Sequence, residues 1–178
     1  LPARKVVATP YSNGGLRQAF LASGGDDVYA PVGDRYVLET MLAEGCVLGG
    51  EQSGHIIFLE NSTTGDGLLT ALKLLEVLEI TGKPLSLLAQ SMTVLPQQLV
   101  NIPFQGNANW IKNEQIQAAV SRAREKMGPS GRLFVRASGT EPLVRILGEH
   151  PDEKILREAI ELVADAILQE QGRGARAN

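Results

Sequence analysis

The apolar positions of this chain change period as it proceeds. Lys5-Val6-Val7-Ala8 is a short apolar run that enters the polar turn Ser12-Asn13-Gly14-Gly15. Leu16, Ala19, Phe20 and Ala22 then recur at helical spacing as far as Gly24-Gly25, which predicts a strand followed by a helix. Val28-Tyr29-Ala30 is a second strand, Arg35 to Glu44 a second helix stopped by Gly45, and Val47-Leu48 the start of a third strand. Strands alternating with helices of about ten residues imply an α/β domain with a mostly parallel sheet. Ile56-Ile57-Phe58-Leu59 adds a strand after a glycine-rich loop. Leu68, Ala71, Leu72, Leu75 and Leu78 then form an apolar stripe on a helix running to about Ile80. Thr64 or Asp66 is its cap. Gly82-Lys83-Pro84 ends it, and Leu85 to Met92 reads as a short helix.

The second half has a different rhythm. Residues 93–98, with Pro96, read as a hinge linker. Leu99 to Phe104 is a strand placed at a sheet edge by Pro103, which cannot donate to a ladder. Gln105 to Lys112 is a loop, and Asn113 to Met127 a helix with Ile116, Ala119, Val120, Ala123 and Met127 on its core face. Leu133-Phe134-Val135 and Leu143-Val144 with Ile146-Leu147 are two strands joined by a tight polar turn. Pro151-Asp152-Glu153 opens the last helix, whose core face is Leu156, Ala159, Ile160, Val163 and Ile167. Strand, helix, strand, strand, helix describes a small α+β domain, one sheet with two helices on one face. The expected division is therefore 1–92 for the α/β domain, 93–98 for the hinge, 99–171 for the α+β domain, and a disordered glycine-rich tail at 172–178.

Composition narrows the function classes. Of the 178 residues, 43% are hydrophobic but only 4% aromatic, so the cores must be aliphatic. A net charge of −3, with both signs mixed throughout, argues against a nucleic-acid or anionic-membrane partner. No apolar run approaches the ~20 residues that span a bilayer, and no signal peptide opens the chain. The single cysteine, Cys46, fits a reducing cytoplasm, and its apolar neighbours Val47 and Leu48 favour a buried structural thiol over a nucleophile.

Two loops carry candidate chemistry. Arg136-Ala137-Ser138-Gly139-Thr140-Glu141-Pro142-Leu143-Val144-Arg145 places two hydroxyls, a glycine and flanking arginines around one turn. Guanidinium groups bind phosphate in a bidentate, charge-assisted way, and turn N–H groups bind it without net charge. The same residues also suit a surface hairpin with an Arg–Glu141 salt bridge. Gly49-Gly50-Glu51-Gln52-Ser53-Gly54-His55 sets a carboxylate, an amide, a hydroxyl and an imidazole between glycines, a set suited to the hydroxyls of a polyol. A plain hairpin turn is the alternative there. Asp34, after Gly33, is either a helix N-cap or, with Arg35, a group that meets a substrate.

The string Arg136-Ala137-Ser138-Gly139-Thr140-Glu141-Pro142 with its following arginine resembles the phosphate-binding loop in the last domain of the α-D-phosphohexomutases. Those enzymes move a phosphoryl group between two hydroxyls of one sugar. Gly50-Glu51-Gln52-Ser53-Gly54-His55 is similar to the family's sugar-binding loop in the third of four domains. Gly33-Asp34-Arg35-Tyr36 and Thr63-Thr64-Gly65-Asp66-Gly67 resemble the amino-sugar branch, which interconverts glucosamine 6-phosphate and glucosamine 1-phosphate. Phosphomannomutase and phosphoglucomutase relatives usually carry a Gly-His string near the first of these. The resemblance implies sugar contacts at Glu51, Ser53 and His55, with Asp34 and Arg35 near the substrate. It implies phosphate contacts at Arg136, Ser138, Gly139, Thr140 and Arg145. It also implies a phosphoserine and a Mg²⁺ loop that have no counterpart here, so this chain would hold no catalytic residue and would be inactive without the missing N-terminal domains. It would then be most of domain three, without its opening strand and helix, and all of domain four. A sugar-phosphate binding module without catalysis is the reading from a different class. Asp26-Asp27 lacks the alternating spacing by which several carboxylates meet one octahedral ion.

Overall fold

Three short strands pair in parallel in the first half of the chain. They are β1 (Lys5–Ala8), β2 (Asp26–Tyr29) and β3 (Leu48–Gly50), with β4 (Ile56–Phe58) antiparallel to β3. The sheet order is β2-β1-β3-β4. The computed structural model describes residues 4–104, 113–138 and 141–174. The chain divides into two compact units, Leu1–Val94 and Leu95–Asn178. In the first unit, α1 (Gly14–Ala22) joins β1 to β2 and α2 (Asp34–Glu44) joins β2 to β3. These crossovers run in opposite directions along the sheet, so the right-handed rule puts α1 and α2 on opposite faces. The result is a partial three-layer α/β domain, in agreement with the expected class.

The face under α2 is closed by aliphatic residues. Val7, Ala30, Val37, Met41, Cys46 and Ile57 form one buried cluster. Gly49 lets α2 approach the sheet, since a Cβ there would stand 2.5 Å from Met41 Sδ. Cys46 is buried in this cluster, and burial pushes its thiol pKa up. Asp27, also buried, is neutralised by the Arg17 guanidinium, which reaches Asp26 as well.

After β4 the chain forms α3 (Gly67–Thr81), α4 (Leu85–Leu88) and a single 3₁₀ turn, Ala89–Ser91. Asp66 caps α3, its Oδ1 accepting from the N–H groups of Leu68 and Leu69, so Asp66 takes the capping role and Thr64 does not. No residue of α3 is buried, and Leu68, Leu72 and Leu75 are exposed.

The second unit is built as the pattern predicts. β5 (Gln97–Pro103) and β6 (Arg132–Ala137) flank β7 (Leu143–Glu149) in an antiparallel sheet of order β5-β7-β6, which leaves Pro103 on an edge strand. α5 (Glu114–Met127) and α6 (Glu153–Gly174) pack on each other and on one face of the sheet. Ile116, Ala119, Val120, Ala123 and Met127 are all buried, as are Leu156, Ala159, Ile160, Val163 and Ile167. Asn113 and Asp152 cap the two helices with their side-chain oxygens. The strand begins at Gln97, inside the stretch expected to be linker, because Gln97 pairs with Glu149. Of the expected tail, residues 172–174 continue α6, and 175–178 lie outside the described residues. The expected loop at 105–112 lies outside them too.

Register arranges the helix-free face of this sheet in rows. Gln97, Glu149 and Arg132 form one, Leu99, Leu147 and Phe134 the next, and Asn101, Arg145 and Arg136 the row nearest the β6–β7 turn. In the first row the buried Glu149 carboxylate takes Arg132 in two bonds, Nε at 3.0 Å and Nη2 at 2.8 Å, plus Gln97 Nε2 at 3.2 Å. A buried carboxylate so satisfied fixes the pairing of all three strands.

Candidate functional site

In the first unit α1 and α2 leave the carboxyl ends of β1 and β2 on opposite faces of the sheet, and that carboxyl edge is the usual ligand position in open α/β sheets. The loop after β3 carries Glu51 into this region. Glu51 Oε1 accepts from the Gly33 N–H at 2.9 Å, so the structure joins the Gly33–Tyr36 segment to the polyol loop. Nothing in the spacing of 33 and 51 announces that bond; it follows from β2 and β3 ending at the same sheet edge. Gly33 and Gly54 have φ of 130° and 94°, conformations that side-chain-bearing residues rarely adopt. The backbone therefore turns where the glycines allow it, and Gly54 N–H donates to the Glu51 carbonyl at 3.0 Å.

Ser53 Oγ and His55 Nδ1 share a hydrogen bond of 3.0 Å, and both side chains are exposed. His55 lies against the backbone at Gly65, where a Cβ would stand 3.2 Å from His55 Cβ. The alternative of a hairpin holds as local structure, since β3 and β4 pair through this loop. Asp34 is not the N-cap: Gly33 occupies that position, and Asp34 Oδ1 accepts from the next N–H, that of Arg35. Arg35 is exposed and bonded to Glu39 at 2.8 Å, a carboxylate that raises the guanidinium pKa. A further group there was not anticipated. Thr9, at the carboxyl end of β1, is buried with no partner for its hydroxyl among the described residues.

In the second unit, Arg136 and Arg145 are register partners on adjacent strands. Two like charges directly opposite each other are destabilising unless an anion lies with them. Glu141 supplies part of that charge, its Oε2 3.0 Å from Arg145 Nη2, so the salt bridge of the plainer reading is formed. It does not satisfy the whole group: Arg145 Nε is buried and lacks a partner among the described residues. Ser138 folds into the turn, with its N–H donating to the Leu143 carbonyl at 2.8 Å and its Oγ accepting from Glu141 N–H at 3.3 Å. Gly139 and Thr140 lie outside the described residues. Asn101 shares the arginine row, a neighbour legible only from the register of β5.

Among the described residues no group of three or more His, Cys, Asp or Glu could hold a metal ion. Asp26 and Asp27 are committed to Arg17. The described residues do not form a divalent-cation site. No described helix is long and apolar enough to cross a membrane.

Comparison with known proteins decides the family. Residues 1–95 match the family model described as phosphoglucomutase/phosphomannomutase, alpha/beta/alpha domain III, and residues 99–166 match that described as its C-terminal domain. The chain belongs to the phosphoglucomutase/phosphomannomutase family. Curated relatives are phosphoglucosamine mutases. That of Geobacillus thermodenitrificans is 47% identical over 172 residues, covering 97% of this chain and 38% of the relative. That of Moorella thermoacetica is 53% identical over 156 residues, covering 88% and 35%. The chain thus spans little more than a third of the length of the relatives it matches. Among solved structures, Aspergillus fumigatus N-acetylphosphoglucosamine mutase in complex with glucose 1,6-bisphosphate aligns with a TM-score of 0.76 at 21% identity, over 94% of this chain and 38% of that one. The same mutase has been solved with GlcNAc-6P and magnesium, TM-score 0.73 at 21% identity, over 92% of this chain and 39% of that one. These two establish likeness of fold.

Proposed function

We propose that this chain is the substrate-binding part of a phosphoglucosamine mutase, acting on glucosamine 6-phosphate and glucosamine 1-phosphate. The observation that carries the reading is the register pairing of Arg136 with Arg145, with a buried guanidinium N–H left over for an anion. In this reading Arg136, Arg145 and the Ser138–Thr140 turn take the phosphate that is not reacting. Glu51, Ser53 and His55 take ring hydroxyls, and Asp34 with Arg35 lies near the 2-amino position. The serine that carries the phosphoryl group, and the carboxylates that hold Mg²⁺ beside it, belong to polypeptide that the longer relatives have. Mg²⁺ there would neutralise charge on the phosphoryl group in transfer. The residues of this chain contribute positioning and fixed charge, which supply most of the rate in phosphoryl transfer. A hinge at residues 93–96, before β5 begins, would let the bisphosphorylated sugar turn over between the two half-reactions. The chain alone would bind sugar phosphate without converting it, in a cytoplasmic setting and on the route to the amino-sugar precursor of peptidoglycan.

The test is a titration of this chain with glucosamine 6-phosphate, glucose 6-phosphate and mannose 6-phosphate, followed by NMR. The amino sugar should bind most tightly, and Arg136→Ala should weaken it about tenfold, the loss of a charge-assisted bond. Tighter binding of glucose 6-phosphate or mannose 6-phosphate would move the reading to a glucose- or mannose-specific mutase. Unchanged binding in Arg136→Ala would remove the arginine turn from the site.

A further inference from the structure

One polar group at the carboxyl edge of the first sheet has no role in the site as described so far. Thr9 is the first residue after β1, which lies between β2 and β3. Its backbone is satisfied twice by one neighbour. Thr9 N–H donates to Ser12 Oγ at 3.2 Å, and the Thr9 carbonyl accepts from Ser12 N–H at 2.9 Å. The Thr9 hydroxyl has no partner among the described residues, although Thr9 is only 1% exposed. An unpaired buried hydroxyl costs folding free energy that a methyl in its place would not. Native proteins pair nearly every such group, so one left over points to a partner met in another state.

Topology sets that hydroxyl beneath Glu51. Val7 pairs with Gly49 and Ala8 with Tyr29, so the same register continued puts Thr9 between Ala30 and Glu51. Residues two apart along a strand share a face. Val7 and Ala30 are buried in the cluster under α2, and Gly49 faces Met41 of α2, so Thr9 and Glu51 lie on that face too. Gly33, beyond the end of β2, donates its N–H to Glu51 Oε1 at 2.9 Å. Neighbouring strands lie about 4.8 Å apart. A bond from beyond β2 to a residue beyond β3 therefore crosses the end of β1, where Thr9 stands. Thr9 is too deep to touch a sugar itself, whereas Glu51 is only half-buried.

We propose that Thr9 is a positioning residue for Glu51, its O–H donating to the Glu51 carboxylate when a sugar hydroxyl engages that carboxylate. This role rests on the reading of Glu51 as a sugar ligand given above. Glu51 is then held by two donors, the Gly33 N–H and the Thr9 O–H, while the sugar uses its remaining acceptor capacity. A hydrogen bond to a charged acceptor is stronger than one between neutral groups, so the pair fixes the direction in which Glu51 meets the sugar. The bond forms with the ligand and is absent from the free chain, which separates Thr9 from a hydroxyl that only holds the fold.

Thr9→Val, which exchanges the hydroxyl for a methyl, tests this in the full chain. The urea midpoint should not fall, since no bond is lost in the free state, while affinity for glucosamine 6-phosphate should drop about tenfold by NMR titration. Thr9→Ser keeps the hydroxyl and should keep the affinity. In a Glu51→Ala background Thr9→Val should cause no further loss, because the carboxylate it orients is gone. A lowered midpoint in Thr9→Val would overturn the proposal by showing the hydroxyl already bonded in the free chain. A further loss of affinity in the Glu51→Ala background would overturn it too, since Thr9 would then act without Glu51. Wild-type affinity in Thr9→Val, with Glu51→Ala weakened, would strike the Thr9 role and leave the sugar site standing. A wild-type chain that binds no sugar phosphate would strike the site itself, and the Thr9 role with it.

Discussion

Helices α3 and α5 have similar lengths and apolar residues at helical spacing, but they end in opposite environments. On α5 the buried apolar positions form one stripe, the rest of the surface is mostly polar, and the whole stripe is buried against β6 and α6. On α3 the leucines spread around more than a stripe, and none of them is buried. A narrow stripe has one face to hide, so periodicity alone identifies what it packs against. A helix apolar over most of its circumference needs neighbours on several sides, and its sequence does not say which of them this chain supplies. The second unit closes its core with its own elements; the first closes the α2 face and leaves the other partly open.

Truncations on the two helix systems should separate them most sharply. Ile160→Ala, in the core between α6 and the sheet, should cost about 2–5 kcal/mol, the range for deleting a buried branched side chain. Leu72→Ala should cost under about 1 kcal/mol, because an exposed leucine loses few contacts. Urea unfolding of both variants measures the difference. Similar costs would break the comparison and show α3 to be packed in this chain.

That contrast also explains which parts of the structure were legible in the sequence. The core faces of α5 and α6 follow from offsets alone, since both helices are amphipathic and both partners lie within the same unit. The edge position of β5 follows from Pro103. The parallel sheet follows from alternation, but the start of β5 at Gln97 does not, because its pairing with Glu149 spans more than fifty residues. At the candidate sites, residue types pointed to Glu51, Ser53, Arg136 and Arg145. The bonds that organise them were hidden in topology: Gly33 N–H to Glu51 joins two loops through the shared end of the sheet, and Asn101 enters the arginine row only through register. Asp34 was open between cap and ligand, and the positive φ of Gly33 gave the cap position to the glycine.

The Gly33–Glu51 bond sharpens the comparison at the next level of energy, since it ties loops in the more open unit. Glu51→Ala should destabilise the first unit by about 1 kcal/mol, the net worth of one such hydrogen bond. It should speed exchange of the Gly33 amide while leaving amides of β7 in the second unit unchanged. Glu51→Gln keeps an acceptor oxygen and should retain the slow Gly33 amide, although it removes the charge offered to a sugar hydroxyl. An unaltered Gly33 amide in Glu51→Ala would show that the loop is held by its backbone alone.

The smallest expected effect isolates the closed unit by pH. Asp152 caps α6, and N–H donation from Ile155 and then from Lys154 lowers its carboxyl pKa. Glu158 is lowered as well, first by its hydrogen bond with Lys126 at 2.6 Å. A carboxylate with a depressed folded pKa binds fewer protons folded than unfolded. Its stabilisation is therefore complete above the unfolded value of about 4, and is lost as pH falls through the folded value. Asn also serves as an N-cap, so Asp152→Asn should leave neutral-pH stability nearly unchanged. It should flatten the decline in unfolding free energy on the acid side, and Glu158→Gln should flatten it further. Both changes belong to the second unit, so they should appear in its unfolding transition and not in that of the first. A variant with the wild-type acid slope would mean that the α6 cap does not distinguish the folded from the unfolded state in proton binding.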